Sequence, residues 1–261
     1  MKTELDERQQ IEELCRGLQN DNVGDVMVVG GGISGIQASL DLATAGFKVY
    51  LVEKSPAIGG HMAQLDKTFP TNDCSMCIES PKFVECSRHP NIEILTYTEI
   101  EKVTGEAGDF KVALIKKPRY IDEDKCTGCG VCVEYCPVQV EDEYNQGLSK
   151  NKAIHIYFSQ AVPLVTYVDR DKCSFLQDER CTICQGVCKN NAIDLFQKPE
   201  SLEIEVGAII LAPGYDAFDP ATLRDTYGYG KFENIVTSLD YERILCATGP
   251  YEGEILRSSD K

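Results

Sequence analysis

The stretch that most constrains this chain is DVMVVGGGISGIQASLDLATAGFKVYLVEK, residues 25–54. It reads as a buried strand, a tight turn, a helix and a second buried strand. Gly30, Gly32 and Gly35 form G-x-G-x-x-G at the strand-to-helix turn. The first glycine lets the turn close, the second lets backbone approach a pyrophosphate, and the third lets helix and strand pack closely. The helix N-terminus, with Ser34 in its first turn, then faces the negative charge. Glu53 ends the second strand, where a carboxylate accepts hydrogen bonds from a ribose 2′-hydroxyl, with Lys54 beside it. A dinucleotide site on a doubly wound α/β sheet is the expectation.

Which dinucleotide binds is decided further along. SPAIGGHMAQ places Gly59 and Gly60 soon after Glu53, with His61 and Met62 following. VGAIILAPGYDAFDP, much later, supplies a strand and the turn Ala212-Pro213-Gly214. Both stretches resemble flavoproteins of the glutathione-reductase type. That resemblance implies FAD, with His61 and Met62 on its flavin side and Ala212 to Gly214 returning to the site.

The chain has thirteen cysteines in 261 residues. The N-terminus is polar and acidic, so a secretory signal is not expected and a cytoplasmic location is. The cytosol keeps thiols reduced, which makes metal or redox chemistry a better account of these cysteines than a disulfide framework. Net charge is −16, from 26 basic and 42 acidic residues, which argues against nucleic acid as a ligand. No apolar run is long enough to span a bilayer.

CTGCGVCVEYCP sets Cys126, Cys129, Cys132 and Cys136 at C-x₂-C-x₂-C-x₃-C-P, the run of bacterial ferredoxins. CSFLQDERCTICQGVC repeats it with Cys173, Cys181, Cys184 and Cys188; its first interval is stretched and Lys189 replaces the proline. In such a pair the fourth cysteine of each run ligates the other cluster. One [4Fe–4S] cluster is therefore expected on Cys126, Cys129, Cys132 and Cys188, and a second on Cys136, Cys173, Cys181 and Cys184. Zinc is the competing ion for four-thiolate sites, and it accounts poorly for the doubled run.

The expected organisation is a helical extension over 1–24, a first flavin segment over 25–118, an inserted α+β ferredoxin-like domain over 119–198, and a return segment over 199–261. Strand-like FKVALIKKP before the cysteine runs and SLEIEVGAIILAPG after them give the reason. The insertion would hold the clusters close to the flavin.

VVGGGISGIQASLDLA, VEKSPAIGGHMAQLDKTFPTNDCSMC, HPNIEILTYTEIEKVTGEAGDFKV, CTGCGVCVEYCP and GAIILAPGYDAFDP, in this order, resemble the HdrA component of heterodisulfide reductase and its bacterial relatives. The resemblance implies an FAD and iron–sulfur subunit of an anaerobic oxidoreductase complex, in whose best-studied members the flavin splits electron pairs. It implies the other subunits of such a complex as partners. Compared with the full-length family pattern, an N-terminal domain and the later flavin fold are missing, so a polypeptide completing the flavin domain is expected as a partner too. A self-contained nicotinamide-dependent reductase would need a second G-x-G-x-x-G unit, which the chain does not contain. An iron–sulfur relay with a vestigial flavin fold is the alternative.

NDCSMCIESPKFVEC holds Cys74, Cys77 and Cys86. The leading reading is a third [4Fe–4S] cluster, with Cys15, Cys246, an oxygen ligand or another subunit as fourth ligand. A redox-active C-x-x-C pair and inert buried thiols are the alternatives. The pair is disfavoured because FPTNDCSMCI reads as opening on a loop rather than on a strand leading into a helix.

Overall fold

The structure, a computed structural model, describes residues 24–260. The extension expected before Gly24, with Cys15, lies outside the described residues.

Four short, apolar, β-branched-rich segments make a parallel sheet: β1 (Val26–Val29), β2 (Val49–Glu53), β5 (Ile92–Thr96) and β13 (Ala208–Leu211), in the order β13-β1-β2-β5. Helix α1 (Ile33–Thr44) crosses from β1 to β2 and buries Ile36, Leu40 and Ala43, the i, i+4, i+7 face. The hairpin β3 (Lys67–Thr68) and β4 (Asp73–Cys74) leads directly into α2 (Ser75–Arg88), which crosses to β5.

On one face of the sheet lies an antiparallel layer, β6 (Thr98–Glu106), β7 (Asp109–Lys116) and β12 (Glu200–Val206), in the order β12-β7-β6. Met27, Val52 and Leu95 from the parallel sheet pack against Val112, Leu114 and Val206 from this layer. The opposite face carries α1 and α2, whose core includes Ile36, Leu40 and Phe83.

Between β7 and β12 the chain makes a separate cysteine-lined module. It contains α3 (Val131–Glu134), β8 (Gln139–Glu141), β9 (Lys150–Lys152), β10 (Ile154–Ile156), β11 (Thr166–Val168), α4 (Ser174–Asp178) and α5 (Ile183–Val187). Its outgoing and incoming strands run side by side: Asp194 N donates to Tyr120 O (3.0 Å) and Asp122 N to Ala192 O (2.7 Å). It leaves and re-enters the flavin-type layers at one place, because β12 pairs with β7 from Glu200↔Lys116 onward.

Two contacts fix the module. Arg119, 1 % exposed, donates from Nη2 to Pro56 O and Thr96 Oγ1, both at 2.6 Å, and its Nε lies 3.3 Å from Glu123. Tyr144, Phe158 and Ala161 join Ala63 and Phe83 in the helix-side core. The module is thus part of the same hydrophobic interior as the parallel sheet.

After β13 the chain forms α6 (Arg224–Tyr227) and α7 (Ser238–Leu245). Thr237 and Asp240 make a reciprocal capping box that starts α7 (3.0 and 2.8 Å). Buried Arg243 on α7 reaches Asn145 Oδ1 (2.9 Å), Gln64 O (3.2 Å) and Thr248 O (3.2 Å), and lies over the Tyr144 ring. The tail is therefore pinned to both the module and the first segment, which its polar sequence does not suggest.

Candidate functional site

A cleft of about 740 Å³ opens at the C-terminal ends of β1, β2 and β13, the place where open α/β sheets bind ligands. Of the residues expected from sequence, Gly30, Gly32, Ser34, Glu53, Lys54, Gly59, Gly60, His61, Met62, Ala212, Pro213 and Gly214 all line it. Gly35 does not. A Cβ there would stand 1.8 Å from Gly30 O, so its part is to let α1 pack against the turn. Above Gly32 a Cβ would meet nothing nearer than Gly60 Cα at 3.9 Å, which leaves an open cradle at the helix start. Helix α1 has no side-chain N-cap, so its first N–H groups face that cradle.

Glu53 is only 8 % exposed and is already engaged: Oε2 accepts from Gly31 N (2.5 Å) and Oε1 from Ser55 N (2.7 Å). The carboxylate holds the glycine turn against the loop after β2. Each oxygen keeps a further lone pair for a ribose hydroxyl. His61 Nδ1 lies 2.8 Å from Gln64 Oε1, an acceptor, so Nδ1 is the donor of that hydrogen bond. Its ring packs on Tyr215 at 4.8 Å, and Gln64 continues to Tyr144 O (2.9 Å).

Several lining residues were not legible in sequence. Glu143, Gln146, Tyr157 and Phe158 belong to the cysteine-lined module, yet they form a wall of the cleft. Burial raises the Tyr157 phenol, and its ring meets Tyr167 at 6.3 Å and Tyr144 at 5.6 Å. No motif marks them; only the docking of the module brings them there.

Within the module, Cys126, Cys129, Cys132 and Cys188 surround a cavity of about 280 Å³. Cys136, Cys173, Cys181 and Cys184 surround a tighter apolar pocket of about 20 Å³, with Val138, Ile154 and Val168. Burial raises the Cys132 thiol and pushes Cys184 up to about 12. Ligation must ionise both, so loading the sites releases protons. Four thiols line each hollow, the donor type that a [4Fe–4S] cluster takes and that zinc also takes.

The third set is not gathered around one point. Cys74 and Cys77 are bonded to each other as a disulfide, and Cys77 N donates to Cys74 Sγ at the α2 N-cap. Cys86 sits nine residues beyond Cys77 on the same helix, about 13 Å along its axis at 1.5 Å per residue. It is wholly buried in the helix-side core, which pushes its thiol up to about 12. As placed, Cys86 stands apart from the other two. Cys246, a candidate fourth ligand, is instead 3.3 Å from Thr248 Oγ1. The strand-to-helix context that the sequence does not suggest for a C-x-x-C pair is present, since β4 runs straight into α2.

The family model for FAD-dependent oxidoreductases matches residues 25–76, and that for the 4Fe-4S binding domain matches residues 119–140. The HdrA component of the H(2):CoB-CoM heterodisulfide,ferredoxin reductase of Methanothermobacter marburgensis is 53 % identical over 90 % of this chain. The iron-sulfur HdrA component of the CoB--CoM heterodisulfide reductase of Methanocaldococcus jannaschii is 51 % identical over 90 % of it. The chain belongs to the heterodisulfide reductase HdrA family. It spans about a third of those relatives' own length, 35 % in each case. A solved L-proline dehydrogenase from P. horikoshii is 27 % identical over 36 % of this chain and 19 % of its own, at a TM-score of 0.32. Within the HdrA family, then, this chain joins a Rossmann-like FAD domain to a 4Fe–4S module. Among the described residues no helix is long and apolar enough to cross a membrane.

Proposed function

We propose that this chain is an electron-transfer segment of an HdrA-like protein, holding FAD in the cleft and two [4Fe–4S] clusters in the module over residues 119–198. The observation that carries this is the shared wall: Tyr157 and Phe158, from between the two cysteine runs, line the dinucleotide cleft. When bound, the flavin supplies two-electron chemistry and the clusters one-electron relay. The protein's own residues bind and orient. The α1 N-terminus and the Gly32 cradle receive the pyrophosphate, Glu53 the ribose, and His61, Met62 and Ala212 to Gly214 border the flavin end. Cys126, Cys129, Cys132 and Cys188 hold one cluster; Cys136, Cys173, Cys181 and Cys184 hold the other.

The flavin domain is of the glutathione-reductase type, interrupted by an inserted ferredoxin-like domain, and it works in the cytoplasm of an anaerobic cell within a larger complex. A relative is named as a heterodisulfide and ferredoxin reductase, and flavin-based electron bifurcation is the activity we propose for the complex in which this chain takes part. The rest of the HdrA fold docks at β13. Leu211 there is 72 % exposed, and among the described residues nothing pairs with the outer edge of that strand.

The test is anaerobic reconstitution of the full chain with flavin, iron and sulfide. With FAD held in excess, the expected loading is one flavin and about eight iron per chain, two cubanes. Photoreduction of the flavin should then be followed by cluster reduction within the same molecule. Clusters without flavin would favour the vestigial-fold relay, and stoichiometric zinc would overturn the assignment.

A further inference from the structure

Thr166, on β11, is the residue the functional reading leaves unexplained. It is 1 % exposed, and its Oγ1 lies 3.8 Å from Cys126 Sγ and 3.9 Å from Cys132 Sγ. Those two sulfurs are its side chain's hydrogen-bonding partners, and it lines the 280 Å³ cavity between them. As a free thiol, either sulfur can donate or accept. As a thiolate it can only accept, so once both are ionised the hydroxyl must be the donor. A hydroxyl placed in an apolar hollow with no other partner costs free energy unless it makes this bond.

The second pocket has no such hydroxyl, although the Gln185 backbone N–H is hydrogen-bonded to its Cys184 thiol. Among the described residues no hydroxyl bonds to its thiols, and Cys136 Sγ faces the Val138 carbonyl at 3.7 Å. A donor to a ligating sulfur draws off negative charge and favours the more negative, reduced state of the cluster, whereas a carbonyl does the opposite. The neighbour of Thr166 in sequence, Tyr167, packs its ring 6.3 Å from Tyr157, which lines the flavin cleft. Gly128, inside the first cysteine run, packs closely on Leu164, and Val162 O accepts from Ile58 N beside Gly59 (3.0 Å). The cavity with the hydroxyl is thus tied to the cleft by two routes.

We infer that Thr166 is a potential-setting residue: once the sulfurs are ionised, its buried hydroxyl donates its one hydrogen to the Cys126 or the Cys132 sulfur and raises the potential of their cluster. The step is a one-electron reduction, with the electron supplied by reduced flavin, or by dithionite in the test. The donated hydrogen stays on Oγ1, so no proton is transferred. The inference rests on the two-cluster reading above.

The experiment uses the full chain, reconstituted anaerobically, in wild-type, Thr166→Val and Thr166→Ser forms. Cluster potentials are read by EPR during a dithionite titration. A Cys184→Ser variant, which disables the second site, identifies the first cluster's signal. Valine keeps the shape and removes the donor; serine keeps the donor. At the wild-type midpoint, valine should lower the ratio of reduced to oxidised first cluster roughly tenfold, which is 59 mV for a one-electron couple. Serine should leave it near wild type, and the second cluster should move in neither. Equal potentials in wild type and Thr166→Val, or a shift confined to the second cluster, would overturn the inference while leaving the two-cluster reading intact. Wild type that loads no cluster would sink both. Resonance Raman of the wild type in water and in deuterated water gives a test without substitution. The iron–thiolate bands should shift on exchange, and bands that stay put would refute the hydrogen bond even if the valine variant fails to assemble.

Discussion

Gly32 and Gly35 stand in one motif, yet they fail differently when a methyl group is added. At Gly35 the new Cβ would lie 1.8 Å from Gly30 O, inside the α1–β1 contact, whereas at Gly32 it points into the open cradle. Gly35→Ala should therefore prevent folding, seen as loss of a cooperative urea transition. Gly32→Ala should keep that transition and lose most flavin binding in equilibrium dialysis. Glu79 is the second informative residue. Its carboxyl is fully buried on α2, neither oxygen has a partner, and desolvation raises it to about 8 from 4.5. Folded chain keeps the proton where unfolded chain has lost it, so the contribution to stability is complete below 4.5 and is lost as pH rises towards 8. The slope across that window is about 1.4 kcal/mol per pH unit. Glu79→Gln, which cannot ionise, should match wild type near pH 4 and exceed it near pH 8 by an amount of order 4 kcal/mol in urea unfolding. Parallel stability curves for the two proteins would show that Glu79 ionises freely in the fold. Sequence disclosed Glu53 as a site residue, but gave no sign of Glu79, because burial is set by what α2 packs against.

Single elements decide two further outcomes. Helix α2 separates Cys86 from the Cys74–Cys77 pair by about two and a half turns. Replacing all three by serine should leave iron at about eight per chain, the content of two cubanes. Loss of about four iron would restore the third cluster. The chain entering the module is anchored by Arg119, whose Nη2 serves Pro56 O and Thr96 Oγ1. Arg119→Ala strips charged hydrogen bonds from a buried site and should cost about 3 kcal/mol, measured by urea unfolding. Arg119→Lys should recover only part of that, since one ammonium cannot reproduce the guanidinium fork. The strands, α1 and the cysteine runs are legible because each carries a local pattern: apolar runs, a glycine turn, fixed cysteine intervals. The strand β4 before Cys74 reads as loop because its two residues, Asp73 and Cys74, carry no strand signal and gain their pairing from Lys67 and Thr68.

For the molecule as a whole, the open side of the sheet is the feature with consequences. β13 reads AIIL yet is exposed at both ends and only partly buried between them, and Phe218, Tyr227 and Phe232 beyond it are each about two-thirds exposed. Parallel sheets are normally covered on both faces and paired or protected at their edges. The isolated chain should bind FAD weakly and self-associate in gel filtration. Adding a polypeptide with the remainder of an HdrA relative should restore a defined complex and tight flavin. A soluble monomer that keeps one FAD through the column, alone, would show that β13 needs no partner.

Sequence by itself determined the two chemistries: a pyrophosphate cradle fixed by where glycines stand, and eight thiols fixed by spacing along a short loop. These are local properties, since a turn's allowed geometry and the reach of a few residues do not depend on distant chain. Tertiary structure alone decided how the two chemistries meet. Tyr157 and Phe158 line the cleft, Thr166 faces two sulfurs, Arg119 and Arg243 pin module and tail, and Cys86 is carried away from its neighbours. The cleft wall and the two arginines depend on which surface of the module is buried against α2 and the parallel sheet, while Thr166 depends on folding within the module and Cys86 on the course of α2. That choice follows from packing between residues far apart in the chain, for which no short stretch of sequence carries a mark.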